Sequence, residues 1–156
     1  MGVLTILLEK VTNLRDEDGI GRSDPYVKFE LEQDNLVFDK GYGKKQSTKK
    51  KNVLNPVYHE TFEFADIPSL NNMILKVRIM DDDIGRDTPL GSCQIKLKRL
   101  RLNENPKSVE EIVEKKEKPK SSCSPIKWIC CGICLCCFCR PKSKDATIYL
   151  KLSYRD

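Results

Sequence analysis

Met73-Ile74-Leu75-Lys76-Val77-Arg78-Ile79-Met80-Asp81-Asp82-Asp83-Ile84-Gly85-Arg86-Asp87 is an alternating run that breaks into a knot of carboxylates. Leu75, Val77 and Ile79 fall on one side of an extended chain and Lys76 and Arg78 on the other, the period-two pattern of a half-buried strand. The acids and the glycine then stop it, because Asp and Gly at this density make loops. The same succession occurs upstream. Val3–Val11 alternates, and Asp16-Glu17-Asp18-Gly19-Ile20-Gly21-Arg22-Ser23-Asp24 follows, again with Ile-Gly-Arg among acids. If both loops lie at one end of a sheet, five or more carboxylates converge where nothing in the sequence neutralises them. Like charges so placed are costly unless protonated or bridged by a cation. Oxygen-only ligands of this hardness suit Ca²⁺, which takes 6–8 oxygens at flexible geometry. No EF-hand loop with its closing Glu is present.

Outward from this stretch the pattern stays at period two. Tyr26–Leu31, His59–Phe64, Leu90–Leu97 and Ala146–Tyr154 alternate as strands do, and the polar stretch Lys44–Lys51, with Gln46 and Thr48, suits an exposed strand. Pro25, Pro56 and Pro89 fall where strands begin or end. Seven or eight short antiparallel strands with turns between them predict an all-β fold, an eight-stranded β-sandwich. Asn105–Lys118 is the exception: Pro106 precedes Val109, Ile112 and Val113 at helical spacing, so a short helix is expected there. Residues 119–144 then form a basic, cysteine-rich insert before the last strand, within a single domain spanning 1–156.

The chain has 156 residues, of which one third are charged and 39% hydrophobic, as expected of one soluble globular domain. The net charge of +5 is uneven: residues 95–144 carry 13 Lys/Arg against 5 Asp/Glu, or +8, leaving about −3 elsewhere. A basic region beside acidic loops suits an anionic surface better than a uniform nucleic-acid footprint. The N-terminus lacks a basic n-region and a cleavage site, so it does not read as a secretory signal. Gly2 is not a myristoylation site, since Ile6 stands where Ser or Thr is required. Eight cysteines without such a signal point to a reducing, cytoplasmic compartment.

Asp18-x5-Asp24-Pro25-Tyr26-Val27, then Asn55-Pro56-Val57-Tyr58-His59-Glu60-x-Phe62-x-Phe64, then Asp81-x-Asp83 ahead of Leu90-Gly91, closely resemble the C2 domain family. The match runs from residue 3 to about 100 and resumes at Ile148-x-Leu150-x-Leu152. The order of strands resembles the family's type II variant, a Greek-key sandwich, here as a stand-alone domain. The resemblance implies Ca²⁺-dependent docking on phospholipid at the cytosolic face of a membrane, in signalling or membrane trafficking, without catalysis. Carried over by position, Asp18 and Asp24 match the first-loop ligands and Asp81 and Asp83 the third-loop pair. The fifth ligand position falls on Thr88 with Asp87 one residue earlier, and Asp87 is taken as the ligand, with main-chain carbonyls completing each shell.

Ile20 and Ile84 sit at the loop tips, where a core role is hard to arrange, and read as shallow membrane wedges; Arg22 and Arg86 beside them suit lipid phosphates. Lys45, Lys49 and Lys51 share one face if Lys44–Lys51 is a strand. The resemblance implies a phosphoinositide site there, while the competing reading is protection of a sheet edge. His59 and Cys93 read as packing residues. No nucleophile elbow, phosphate loop or zinc-hydrolase motif is present, so a catalytic reading has no residues to rest on.

Trp128–Cys139 is an apolar run between Lys127 and Arg140, too short to span a bilayer, which needs ~20 residues. Three readings stay open. Cys130, Cys131, Cys134, Cys136, Cys137 and Cys139 are candidates for S-acylation; Cys131-x2-Cys134 could belong to a zinc cluster; or the run is a reduced apolar loop. The alternative to a Ca²⁺ and lipid module is therefore a Ca²⁺-independent protein-interaction domain whose insert binds metal.

Overall fold

A computed structural model of the chain describes residues 1–15, 23–35, 39–83, 85, 87–114 and 145–156. Its strands are β1 (Gly2–Thr12), β2 (Pro25–Gln33), β3 (Lys40–Gln46), β4 (Val57–Ile67), β5 (Met73–Asp81), β6 (Thr88–Lys96), β7 (Lys107–Val113) and β8 (Ala146–Arg155), with one helical turn, α1 (Leu97–Leu100). They form two four-stranded sheets, ordered β4-β1-β8-β7 and β3-β2-β5-β6, with every pairing antiparallel. The expected eight-stranded sandwich is therefore the fold observed. Among the described residues no helix is long and apolar enough to cross a membrane.

The alternation read from the sequence becomes the core. Leu75, Val77 and Ile79 of β5 are fully buried, as are Leu4, Ile6 and Leu8 of β1. In β1 the buried parity then changes, from Leu8 to Val11, because the register slips between Leu8 and Lys10 against both neighbours. One extra residue in a ladder turns the following side chains to the opposite face. Here it keeps Lys10 in solvent, over the ring of Tyr149, and Val11 in the core. On the facing strand the slip falls at His59, whose φ of 53° is left-handed. His59 is exposed at this bulge, not packed as its place in the motif suggested.

The helix expected at Asn105–Lys118 is not formed. Lys107–Val113 is β7, paired along its length with β8 from Lys107↔Leu152 to Val113↔Ala146. Val109 and Val113 are buried and Ile112 is 57% exposed, so the inward face is at period two. Val109 and Val113 satisfied both patterns and Ile112 only the helical one, but all three are β-branched, and the open edge of β8 supplied the hydrogen bonds that decided for the strand. The helix lies earlier, at Leu97–Leu100, where Leu97 plugs the core.

Register also fixes which loops share an end. Pro25 pairs with Asp81, and Asp81 with Thr88, so the segments before β2 and after β5 leave the sheet side by side. Thr12 pairs with Thr147, which pairs with Ile112, so β1 ends, β7 ends and β8 begins at that same end. Main-chain bonds from Leu14 N to Leu54 O (3.1 Å) and from Val53 N to Ser23 O (3.0 Å) tie the two sheets together there. The sides close where Ser92 bridges Glu114, an approach that Gly91 permits. A Cβ on Gly91 would stand 2.7 Å from Val113 Cγ1.

Candidate cation-binding loop end

The motif residues that carried the resemblance are the scaffold of this end. Asn55 Oδ1 accepts from Asn13 N (2.9 Å), and Val11 N donates to Pro56 O (2.9 Å), so Asn-Pro-Val-Tyr grips the root of the first loop. The Tyr58 hydroxyl, buried, donates to Pro25 O (2.9 Å). Burial first, and then the charge of Glu60, push the Tyr58 phenol above its ordinary range. The same Pro25 carbonyl accepts from Lys50 N (3.0 Å). Residues 47–56, between β3 and β4, thus form a shelf beneath Ser23-Asp24-Pro25-Tyr26.

The carboxylates stand on that shelf. Asp81, the last residue of β5, is 1% exposed; its Oδ1 accepts from Asp24 N at 2.7 Å. Its Oδ2 is buried with no hydrogen-bond partner among the described residues. Asp24 Oδ1 in turn accepts from Asn52 N (2.7 Å), and Asp24 O accepts from Asp82 N (3.2 Å). Asp24 and Asp83 are half-buried. The structure therefore brings Asp24 and Asp81 together as the register demands. Asp87 is held aside: the Tyr26 hydroxyl donates to its Oδ2, and Lys28 Nζ lies 3.8 Å from the same oxygen. Burial, and then this bond, raise the Tyr26 pKa. Asp18, Ile20, Arg22, Ile84 and Arg86 lie outside the described residues, as do Cys130, Cys131, Cys134, Cys136, Cys137 and Cys139.

The lysines are arranged differently from the sequence reading. β3 ends at Gln46, so Lys45, Lys49 and Lys51 do not share a strand face. Ser47 stops the strand: it is buried, its Oγ accepts from Val27 N (2.9 Å), and the chain turns onto the shelf. Lys45 pairs with Phe29, whose side chain is in the core, so its neighbours Lys44 and Gln46 carry the parity of the outer face of the β3-β2-β5 sheet, whose groove Lys45 only borders. There Lys28, Lys44, Lys45, Lys76 and Arg78 line an open groove of about 530 Å³ around Glu30. Glu30 is bonded by Lys44 (2.6 Å) and approached by Arg78 (3.4 Å), while Lys76 pairs with Glu32. The Lys44 bond first holds the Glu30 carboxyl below its usual value. Lys45 has no ion pair among the described residues, and the groove is net positive. Its cations from β2 and β5 were not singled out in the sequence, although Lys28, Lys76 and Arg78 have the outward parity of their strands.

Lys49 lies at the acidic end, with Nζ 2.6 Å from Asp82 Oδ1 and 5.7 Å from the Tyr26 ring centroid. The expectation that nothing neutralises the carboxylates is thus incorrect. A residue 33 positions away folds back to do so. Its pKa is raised, by the Asp82 bond first.

Residues 2–112 match the family model for the C2 domain. The chain belongs to the C2 domain family. It is 38% identical over 104 residues to synaptotagmin-9 of Rattus norvegicus, a match that covers 65% of this chain but only 20% of that relative. Among solved structures, a single C2 domain of plant extended synaptotagmin 1 superposes with a TM-score of 0.68 at 18% identity, covering 99% of this chain and 94% of that one. The calcium-bound pair of C2 domains of extended synaptotagmin 2 superposes with a TM-score of 0.57 at 20% identity, covering 98% of this chain and 45% of that one.

In this C2 domain the carboxylates described at the loop end offer oxygens, and one of these, Asp81 Oδ2, is buried and has no partner among the described residues. A carboxylate oxygen out of water without a partner is costly, and a hard divalent cation is the group that would satisfy it. The donor chemistry therefore fits Ca²⁺. Among the described residues no three His, Cys, Asp or Glu side chains form a metal-binding group by themselves.

Proposed function

We propose that this C2 domain is a non-catalytic membrane-docking module whose loop end takes up Ca²⁺ and anionic phospholipid together at the cytosolic face of a membrane. The observation that carries the reading is Asp81, nearly inaccessible, bonded through one oxygen to Asp24 and, among the described residues, unpaired at the other. Asp18, Asp24, Asp81 and Asp83 are the proposed ligands. Asp87 is a weaker donor than its spacing suggested, because the Tyr26 hydroxyl and Lys28 already engage it. Bound Ca²⁺ would reverse the sign of this end and leave positions that lipid oxygens complete. Ile20 and Ile84 are proposed to enter the headgroup layer and Arg22 and Arg86 to meet phosphates. Burying one Ile gives about 1.5–3 kcal/mol, which adds selectivity without permanent anchoring.

The groove lined by Lys44, Lys45, Lys76 and Arg78 is proposed as a phosphoinositide site, with Lys45 its uncommitted cation. The six cysteines of Cys130–Cys139 are proposed acylation sites. The reading is supported by β7 ending and β8 beginning at the loop end, so both flanks of residues 115–144 face the side that would meet the bilayer. One acyl chain gives only reversible attachment, and the loops would supply the second signal.

Co-sedimentation with vesicles of phosphatidylcholine, phosphatidylserine or phosphatidylinositol bisphosphate, with and without Ca²⁺, tests this directly. Binding to anionic vesicles in Ca²⁺ and its loss in Asp24→Asn and Asp83→Asn are expected. Lys45→Ala should weaken only the phosphoinositide arm. Ca²⁺-independent binding that both Asp variants retain would refute the reading.

A further inference from the structure

The shelf between β3 and β4 reaches the acidic end twice. Asn52 N donates to Asp24 Oδ1 at 2.7 Å, and Lys49 Nζ pairs with Asp82 Oδ1 at 2.6 Å. The Asp82 backbone is itself bonded to Asp24 O, so the acid that Lys49 holds is tied to a proposed ligand residue. Lys49 is half-exposed and its four-carbon stem is flexible, with the Tyr26 ring centroid 5.7 Å from its Nζ. A lysine in this place lowers the repulsion among carboxylates when no metal is present, and it is the cation that a metal must compete with.

We propose that Lys49 is a tethered counter-ion that leaves Asp82 when the loops take up Ca²⁺ and is then presented to the phosphates of an anionic bilayer. The inference rests on the Ca²⁺ reading above and adds an exchange of cations to it. One positive charge moves from inside the loop cluster to the lipid-facing surface. The same side chain should therefore oppose Ca²⁺ in solution and favour the membrane once Ca²⁺ is bound. A lysine fixed on Asp82 would not do both, nor would a merely exposed lysine.

The test is Lys49→Met in the full chain, with Lys49→Arg as the charge-preserving variant and Lys45→Met as a groove control. Ca²⁺ is titrated calorimetrically without lipid, and Ca²⁺-saturated protein is partitioned onto vesicles of phosphatidylserine in phosphatidylcholine. Lys49→Met should tighten Ca²⁺ about threefold to tenfold, the scale of one unit charge a few ångströms away in a watery medium. It should weaken vesicle partitioning about fivefold, the scale of one lysine at an anionic surface. Lys49→Arg should follow the parent chain in both assays, and Lys45→Met should leave the Ca²⁺ titration unchanged. In an Asp82→Asn background the Ca²⁺ gain from Lys49→Met should shrink. Tighter Ca²⁺ with unchanged partitioning would overturn the exchange, and so would weaker partitioning with unchanged Ca²⁺ affinity. A parent chain that gives no heat with Ca²⁺ would overturn the underlying reading as well, an outcome distinct from either.

Discussion

Asp81→Asn separates the cost of the acidic end from its use. In the parent chain Oδ1 accepts from Asp24 N at 2.7 Å and Oδ2 is buried without a partner among the described residues. The amide oxygen of Asn keeps the first bond, and an NH₂ replaces the second oxygen. A buried, unsatisfied neutral group costs about 1–3 kcal/mol and a charged one more. Part of that difference is lost again, because a charge-assisted hydrogen bond becomes a neutral one, a loss of roughly 1 kcal/mol. The net expectation is a metal-free domain about 1 kcal/mol more stable, which in a chain of this size raises Tm by about 2–4 °C. Ca²⁺ at a hundred times its Kd stabilises the parent by about 2.7 kcal/mol, or about 5–11 °C. Asp81→Asn should lose that shift entirely. Differential scanning calorimetry in chelator and in excess Ca²⁺ gives both numbers from one pair of scans. A variant that melts several degrees below the parent in chelator would refute the unpaired-carboxylate argument, and one that keeps the Ca²⁺ shift would refute the ligand assignment.

Gly91→Ala should cost about 1–3 kcal/mol in urea unfolding, because its Cβ would meet Val113 Cγ1 at 2.7 Å and push β7 from β6, whereas Gly85→Ala, in open space but at φ 105°, should cost less. Stability should fall as pH rises above about 9. Burial first pushes the Cys93 thiol and the Tyr154 phenol up to about 12 and raises Tyr58 and Tyr26 as well, so the fold holds protons that the unfolded chain has released. Urea midpoints that are flat from pH 8 to 11 would contradict it. Replacing Cys130, Cys131, Cys134, Cys136, Cys137 and Cys139 by Ser should remove thioester-linked mass from protein purified from cells and release it from membranes at resting Ca²⁺. Stoichiometric zinc with no such mass would favour the metal reading of the insert.

The fold was legible because its strands are half-buried. Leu75, Val77 and Ile79 against Lys76 and Arg78 leave only one arrangement at period two, and the acids and glycine after Asp81 leave only a loop. The family was legible for a related reason. Ser-Asp-Pro-Tyr and Asn-Pro-Val-Tyr are the residues whose main-chain and hydroxyl bonds clamp the loop roots, so their order along the chain records the clamp. β7 was not legible. Val109 and Val113 satisfy helix and strand spacing alike, Ile112 fits only the helix, and the ladder offered by β8, a partner more than thirty residues away in sequence, settled it. Lys49 was misassigned for the same kind of reason. Counted as a strand, Lys44–Lys51 puts Lys49 beside Lys45; the buried Ser47, bonded to Val27, ends the strand and turns Lys49 toward Asp82. Local pattern determined which residues face inward and which make loops, since that depends on neighbours along the chain. Which charges meet depended on register between strands, and only the tertiary structure decided it.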